Sequence, residues 1–519
     1  MTARTYDVVI VGAGSAGSVI ARRLVDVGRT VLLLEAGGGQ DKPQIDDLGR
    51  VVELWNTEND WAYTTTPQIH AADRRLFWPR GRVLGGSHSL NGCIWARGAR
   101  ADYDRWSSEG APGWDWAGVE PWFEHIERRS GDLDPDGLLD VTTDYTRSAI
   151  HSGMIEAARE YGIPLQDNYN DGDPNGVSWM QLNLRNGKRL STYRAYVQPV
   201  ADHPNLRIQC DTRVHRLLIV DDRVVGLDVE KHGEVERIEA GEVVLCAGAL
   251  DTPRILLLSG VGPADHLAEC GIDVAVDASG VGENLHDHLL VPIVGHTEGR
   301  ALPEREAYQP IAQVHHFSTH RANCPAPDTQ PIYWSAPMVD ETMPTPPSCF
   351  TIHAGLVRPE SRGRVRLNDR DPHRQVAFDP GILSDSRDLE SLVASVKEVR
   401  GIVAQRSLRR EWGSVEIYPG PSIATDGDIR EYVRRTASSY HHQVGTARMG
   451  TDDAAVVDPG SFTLRSGPTG VRVADASVMP SIPSANTNAA VVLIAERCAA
   501  AMTGAPTPGM AAAWSRQSG

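Results

Sequence analysis

The chain has 519 residues and a mass of 56.4 kDa, with 51 Lys plus Arg against 68 Asp plus Glu, a formal net charge of −17. That length can bury more than one hydrophobic core, which excludes a mini-protein held by disulfides. Hydrophobic residues at 41% and charged residues at 23% exclude wholesale disorder. The acidic balance argues against a nucleic-acid partner, because binding phosphates by charge needs clustered Lys and Arg.

The N-terminus runs straight into TYDVVIVGAG with no leader pattern, and no apolar run approaches the roughly 18 residues of a membrane span. A cytoplasmic protein without a membrane span is expected. Val8-Val9-Ile10-Val11 reads as a fully buried parallel strand. Gly12-Ala13-Gly14-Ser15-Ala16-Gly17 follows, then a helix, a stop at Gly28, a second strand over Val31–Leu34 and an acid at Glu35. This is the order of a dinucleotide-binding unit. Gly12 permits the tight turn, Gly14 the approach of a pyrophosphate, and Gly17 close helix–strand packing. Ser15, Ala16, Glu35 and Ala36 complete the expected contacts. The acid favours a ribose with free hydroxyls, hence FAD or NAD over NADP.

A second glycine cluster, Gly81-Arg82-Val83-Leu84-Gly85-Gly86, leads to Asn91-Gly92-Cys93-Ile94 and places small residues where backbone approaches a flat ring. A third block, Gly248 to Pro263, follows the strand-like EVVLCA. FTIHAGLVRP, GRVRLND and QVAFDP within 350–383 read as short strands with turns between them, and the segment after Ser384 as a helix. The C-terminal third carries His441-His442-Gln443-Val444-Gly445-Thr446, then VADASVMP, where an expected strand ends with a candidate hydroxyl acceptor, Asp475. Asn486-Thr487-Asn488 precedes AAVVLIAERCAAAM, a helix whose N-terminal dipole would favour negative charge. Seven scattered cysteines form no CxxC pair, so no metal site is expected.

In this order, from about residue 5 to 502, the blocks resemble the glucose-methanol-choline (GMC) family of FAD oxidoreductases. The resemblance implies an α/β chain (α+β overall): a Rossmann-like FAD-binding domain with a substrate domain built on an antiparallel sheet flanked by helices. The FAD domain is expected at 1–150, 200–295 and 440–505, the substrate domain at 151–199 and 296–439, and a flexible tail at 506–519. Arg82, Gly85, Gly86, Asn91, Gly92, Cys93, Ile94, Val214, Ala247, Asp475, Ala476, Asn486, Thr487 and Asn488 are its expected FAD contacts beyond the first unit.

The family's catalytic His falls on His442, and its second catalytic position, His or Asn, is assigned to Asn488. His suits the task of taking a hydroxyl proton because its ordinary pKa lies near neutral. Some relatives attach FAD through a His at the position of Leu90, so that linkage is excluded and non-covalent FAD is expected. His88, where a small residue is usual, is a candidate flavin contact, and Gln443 replaces a common Pro. The substrate is read as a small primary alcohol, aromatic or heteroaromatic, with oxygen or another acceptor. Trp61, Tyr63, Tyr333, Trp334, Tyr440 and His441 are the candidate pocket residues. Choline-type or sugar alcohol oxidation is the alternative, with Glu304 and Glu306 as loop acids for a cation. A lyase like hydroxynitrile lyases, with structural FAD, is a further one.

Overall fold

Residues 6–129, 137–340 and 342–508 are described in a computed structural model of the chain. The expected tail lies, from residue 509 onward, outside the described residues. Tyr6–Val11 occupies the middle of a seven-stranded sheet, with Val8–Val11 all at most 4% exposed. Such a continuous apolar run is stable only where both faces are covered. Val31–Leu34 pairs with it on one side and Glu234–Leu245 on the other, both parallel, with Val9 opposite Leu32 and Val243. Leu206–Gln209 and Val471–Val473 extend the parallel half outward. The first half of Glu234–Leu245 also joins Arg223–Lys231 and Thr212–Val220 in an antiparallel meander. The parallel strands therefore end together near Val11, Leu34, Leu245 and Val473, the edge where open α/β sheets bind ligands.

Helix Ser15–Asp26 leaves that edge directly after Gly14 and packs against the C-terminal helix Asn488–Thr503. Ala16, Val19, Ile20 and Leu24 supply its buried stripe. Arg23 donates two bonds, 2.8 and 2.9 Å, to the buried Glu496 of the other helix. The two ends of the chain are thus clamped with their helix N-termini side by side.

A second sheet, antiparallel throughout, has the order Ser414–Tyr418, Leu289–Thr297, Cys349–Leu356, Ile332–Trp334, Ala312–Phe317, Gly176–Trp179, with Ser438–Ser439 pairing Leu289–Thr297. Helix Ser386–Val403 covers one face, starting at Asp385, whose carboxylate accepts from the Arg387 N–H. Of the three strands expected within 350–383, only Cys349–Leu356 belongs to this sheet. Arg364–Arg366 and Ala377–Asp379 pair with each other as a separate ribbon. The architecture is the mixed α/β arrangement expected, a Rossmann-like sheet beside an antiparallel one. Among the described residues no helix is long and apolar enough to cross a membrane, and the cysteines are all free.

Candidate active site

A cavity of about 780 Å³ runs from Glu35 and Ala36, past the first glycine turn, to His442 and Asn486. Gly12, Gly14, Ser15 and Ala16 line its dinucleotide end. Gly12 is left-handed (φ +97°), and a Cβ there would sit 2.5 Å from the Cys246 carbonyl oxygen. A Cβ on Gly14 would meet only Gly86 Cα at 3.8 Å, which leaves open space over the turn. Helix Ser15–Asp26 has no side-chain cap, so its first N–H groups remain for an anionic ligand. Glu35 accepts from the N–H groups of Ala13 (3.1 Å) and Gly37 (2.9 Å), and burial pushes its carboxyl up to about 7. Gly86, Asn91, Gly92, Ile94, Val214, Ala247, Asp475, Ala476, Thr487 and Asn488 also line the cavity. Asp475 spends its oxygens on Gly248 N–H (2.8 Å), Thr252 OH (2.6 Å) and Ser477 N–H (2.8 Å), tying the last strand to helix Gly248–Leu258. The glycine cradle, the uncapped helix and the buried acid fit FAD, the cofactor that the resemblance implies.

At the other end His442 is held between two partners. Its Nδ1 lies 3.0 Å from His288 Nδ1, and its Nε2 lies 3.3 Å from Asn486 Nδ2. Gln330 Nε2 donates to Asn486 Oδ1 (3.0 Å), which turns the Asn486 amide NH₂ towards His442. His442 Nε2 must then carry the lone pair and Nδ1 the proton, donated to His288. Burial holds both imidazoles well below the ordinary His value, His288 down to about 3. Asp287 anchors the turn: Oδ1 accepts from the His442 N–H (2.7 Å), and Oδ2 from Gln443 Nε2 (2.7 Å) and the Ser439 hydroxyl. His441 is left-handed (φ +67°), its carbonyl taking a 2.6 Å bond from Arg80. Tyr440 stacks on His442 at 4.5 Å between ring centroids.

Several expectations change. Asn488 does not meet His442: its Oδ1 accepts from Ser15 OH (2.7 Å) and its Nδ2 lies 3.3 Å from His88 Nδ1. Asn486 takes the position beside His442 because the helix starts at 488 and turns that side chain toward the glycine turn. His88 lies behind the cavity wall, with Nδ1 accepting from the Thr192 N–H (3.2 Å), and burial lowers it to about 3. Leu90 and Ser87, on either side of it, do line the cavity.

Gly17, Arg82, Gly85 and Cys93 do not line it. A Cβ on Gly17 would lie 1.9 Å from the Gly12 carbonyl oxygen, and one on Gly85 2.4 Å from Ser89 Oγ, so both serve packing. Arg82 sits 5.1 Å over Trp61, and Cys93 Sγ accepts from Arg189. Of the pocket candidates, Trp61, Trp334, Tyr440 and His441 line the cavity. Tyr63 and Tyr333 do not: the first donates to Asp251 (2.8 Å), and the second, fully buried, bonds His316 Nδ1 (2.8 Å). Glu304 and Glu306 are exposed and line no part of it. Sequence reasoning missed Asp287, His288 and Gln330: the first two lie in the unremarkable stretch ENLHDHL, the third just before the candidate residues Tyr333 and Trp334. It also missed Trp55, Phe77 and His353 on the cavity wall.

Family models described as GMC oxidoreductase match residues 6–290 and 359–495. The mitochondrial choline dehydrogenase of Mus musculus is 36% identical, covering 96% of this chain and 90% of its own. An alcohol dehydrogenase [acceptor] of Pseudomonas putida is 34% identical, with 95% of each chain covered. The crystal structure of pyridoxine 4-oxidase from Mesorbium loti superposes with a TM-score of 0.89 at 32% identity, covering 95% of this chain and 98% of that one. Matched at both ends and over nearly its whole length, the chain belongs to the GMC oxidoreductase family, FAD-dependent enzymes that act on CH–OH donors.

Proposed function

We propose that the protein oxidises a small primary alcohol, aromatic or heteroaromatic, to its aldehyde, with His442 taking the hydroxyl proton and Asn486 holding the oxygen. Bound FAD supplies the acceptor for the hydride that leaves carbon. The observation that carries the reading is the 3.3 Å pairing of His442 Nε2 with Asn486 Nδ2, under a tautomer that leaves Nε2 a lone pair. An alcohol oxygen set beside both atoms donates its proton to His442 and accepts from Asn486 as negative charge grows on it. His442 then becomes an imidazolium whose Nδ1–H is already held by His288. The diphosphate would rest on Gly12–Ala16 and the start of the first helix, with Glu35 reading a ribose. In this reading 1–150, 200–295 and 440–505 hold FAD, and 151–199 with 296–439 hold the substrate. Leu90 in place of a histidine supports a non-covalent cofactor, which acid precipitation would leave in the supernatant.

For the substrate, the support is the cavity's composition: Trp55, Phe77, Trp334, Tyr440 and His441 share it with His442. The choline reading has support in the 36% identical choline dehydrogenase. A quaternary ammonium, however, calls for a carboxylate, and the four that line the cavity among the described residues already have protein partners. Glu35 and Asp475 are held by backbone N–H groups, Asp251 by Arg254 and Tyr63, and Asp340 by the Thr342 N–H. The test is a panel of benzyl, furfuryl and pyridyl alcohols against choline, with oxygen consumption and dye reduction followed in parallel. At least a tenfold advantage in kcat/KM for an aromatic alcohol is expected; preference for choline overturns the assignment.

A further inference from the structure

Away from the cavity, three chain segments bring two imidazoles and a carboxylate onto one point. His215 stands on Thr212–Val220, Glu230 on the neighbouring strand Arg223–Lys231, and His373 in the connection between the two strands of the separate ribbon. His215 Nε2 lies 2.9 Å from Glu230 Oε2, and His373 Nε2 lies 3.3 Å from the same oxygen. The three donor atoms all fall within 4.8 Å of one another. The rings of His215 and His373 cross at 81° with centroids 5.3 Å apart.

We propose that His215, Glu230 and His373 form a binding site for a divalent transition cation of the Zn²⁺ class. The donor set is borderline in softness, as Zn²⁺ requires. With metal–donor distances of about 2.0–2.2 Å, the edges of a tetrahedral site are about 3.3 Å. One observed N···O edge has that length and the other must open by a few tenths of an ångström. A hydrogen-bonded His–Glu pair needs only one imidazole; the second, on the same carboxylate oxygen, matches a shared cation. On binding, the cation takes the Nε2 lone pairs and displaces any proton there to solvent. His373 is 54% exposed against 9% for His215, which leaves the solvent side for water as fourth ligand.

The charges nearby do not fill the site. Arg213 spends Nη2 on the Pro372 carbonyl (2.7 Å), and Arg374 pairs with Asp369. The Arg213 contact also gives the cation something to hold together. Arg213 lines the FAD cavity and lies 5.3 Å over Trp61, so a metal at His373 would fix the ribbon's connection against that wall.

The test uses holoenzyme stripped with EDTA, titrated with ZnCl₂ in a calorimeter and melted with and without Zn²⁺. One Zn²⁺ per chain and a rise in Tm are expected. His373→Ala, an exposed change that leaves the fold intact, and Glu230→Gln should each weaken binding at least tenfold. His70→Ala, an exposed histidine elsewhere, should bind as the parent does. Absence of binding up to about 0.1 mM Zn²⁺, or binding unchanged in His373→Ala, overturns the site.

Discussion

The two ends of the cavity are built on different principles. The dinucleotide end is made of backbone supplied within 31 consecutive residues, from Tyr6 to Ala36: a strand, a left-handed glycine, an uncapped helix and a buried acid. The alcohol end is made of side chains from residues 288, 330, 442 and 486, which meet because two sheets bring distant segments together. At the first end Gly12 and Gly17 have no room for an added Cβ, and few particular side chains are needed. The second end depends on which way each amide and imidazole is turned. Damage to the first should therefore empty the protein of FAD, whereas damage to the second should leave it yellow and slow.

The sharpest way to break that contrast is at the glycine turn. Gly14→Val places a branched side chain in the open space over the turn, and the purified protein should be folded by circular dichroism yet nearly free of flavin absorbance. At the other end, His442→Ala should lower kcat by about a thousandfold, within the range for losing a general base, with FAD content unchanged. Gln330→Leu releases the Asn486 amide without touching the alcohol. A loss in kcat of about three- to tenfold is expected, smaller than that of removing Asn486 itself.

The pH dependence separates the two ends again. His442 must be neutral to accept a proton, and burial holds its pKa well below 6.5. Activity should thus stay level from pH 8 down to 6.5 and fall only below. Stability follows the same sign. His88, His288, His315 and His441 are lowered by burial to about 3, against 6.5 when unfolded. These four therefore bind more protons unfolded than folded between pH 6.5 and 3, and they outnumber Glu35 and Asp287, which burial raises to about 7 and about 6 and which act in the opposite sense. The stabilisation is complete above 6.5 and lost as pH falls through that window. Thermal melts at pH 7, 6 and 5 should show Tm decreasing at each step.

What was legible in the sequence follows the same division. The strand, GxGxxG, helix, strand and acid are local features whose physics is written in consecutive residues, and they can be read without the fold. His442 could be found because its motif is contiguous. The choice between Asn486 and Asn488 could not be read locally. It depends on the helix beginning at 488, and on Gln330, in the loop just before strand Ile332–Trp334, fixing one amide while Ser15 fixes the other. Tyr333 leaves the cavity because alternation along Ile332–Trp334 puts its neighbours on the cavity and Tyr333 itself against His316. The His215, Glu230 and His373 cluster has no sequence signature at all, since its third member arrives from the far side of the chain.

The assignment of the alcohol-holding amide is tested most directly by anaerobic mixing with an aromatic alcohol, following loss of flavin absorbance at about 450 nm. FAD-loaded Asn486→Ala should reduce about a hundredfold more slowly than the parent, and FAD-loaded Asn488→Ala within about threefold of it. The reverse order, with Asn488→Ala slow and Asn486→Ala unimpaired, would contradict the account.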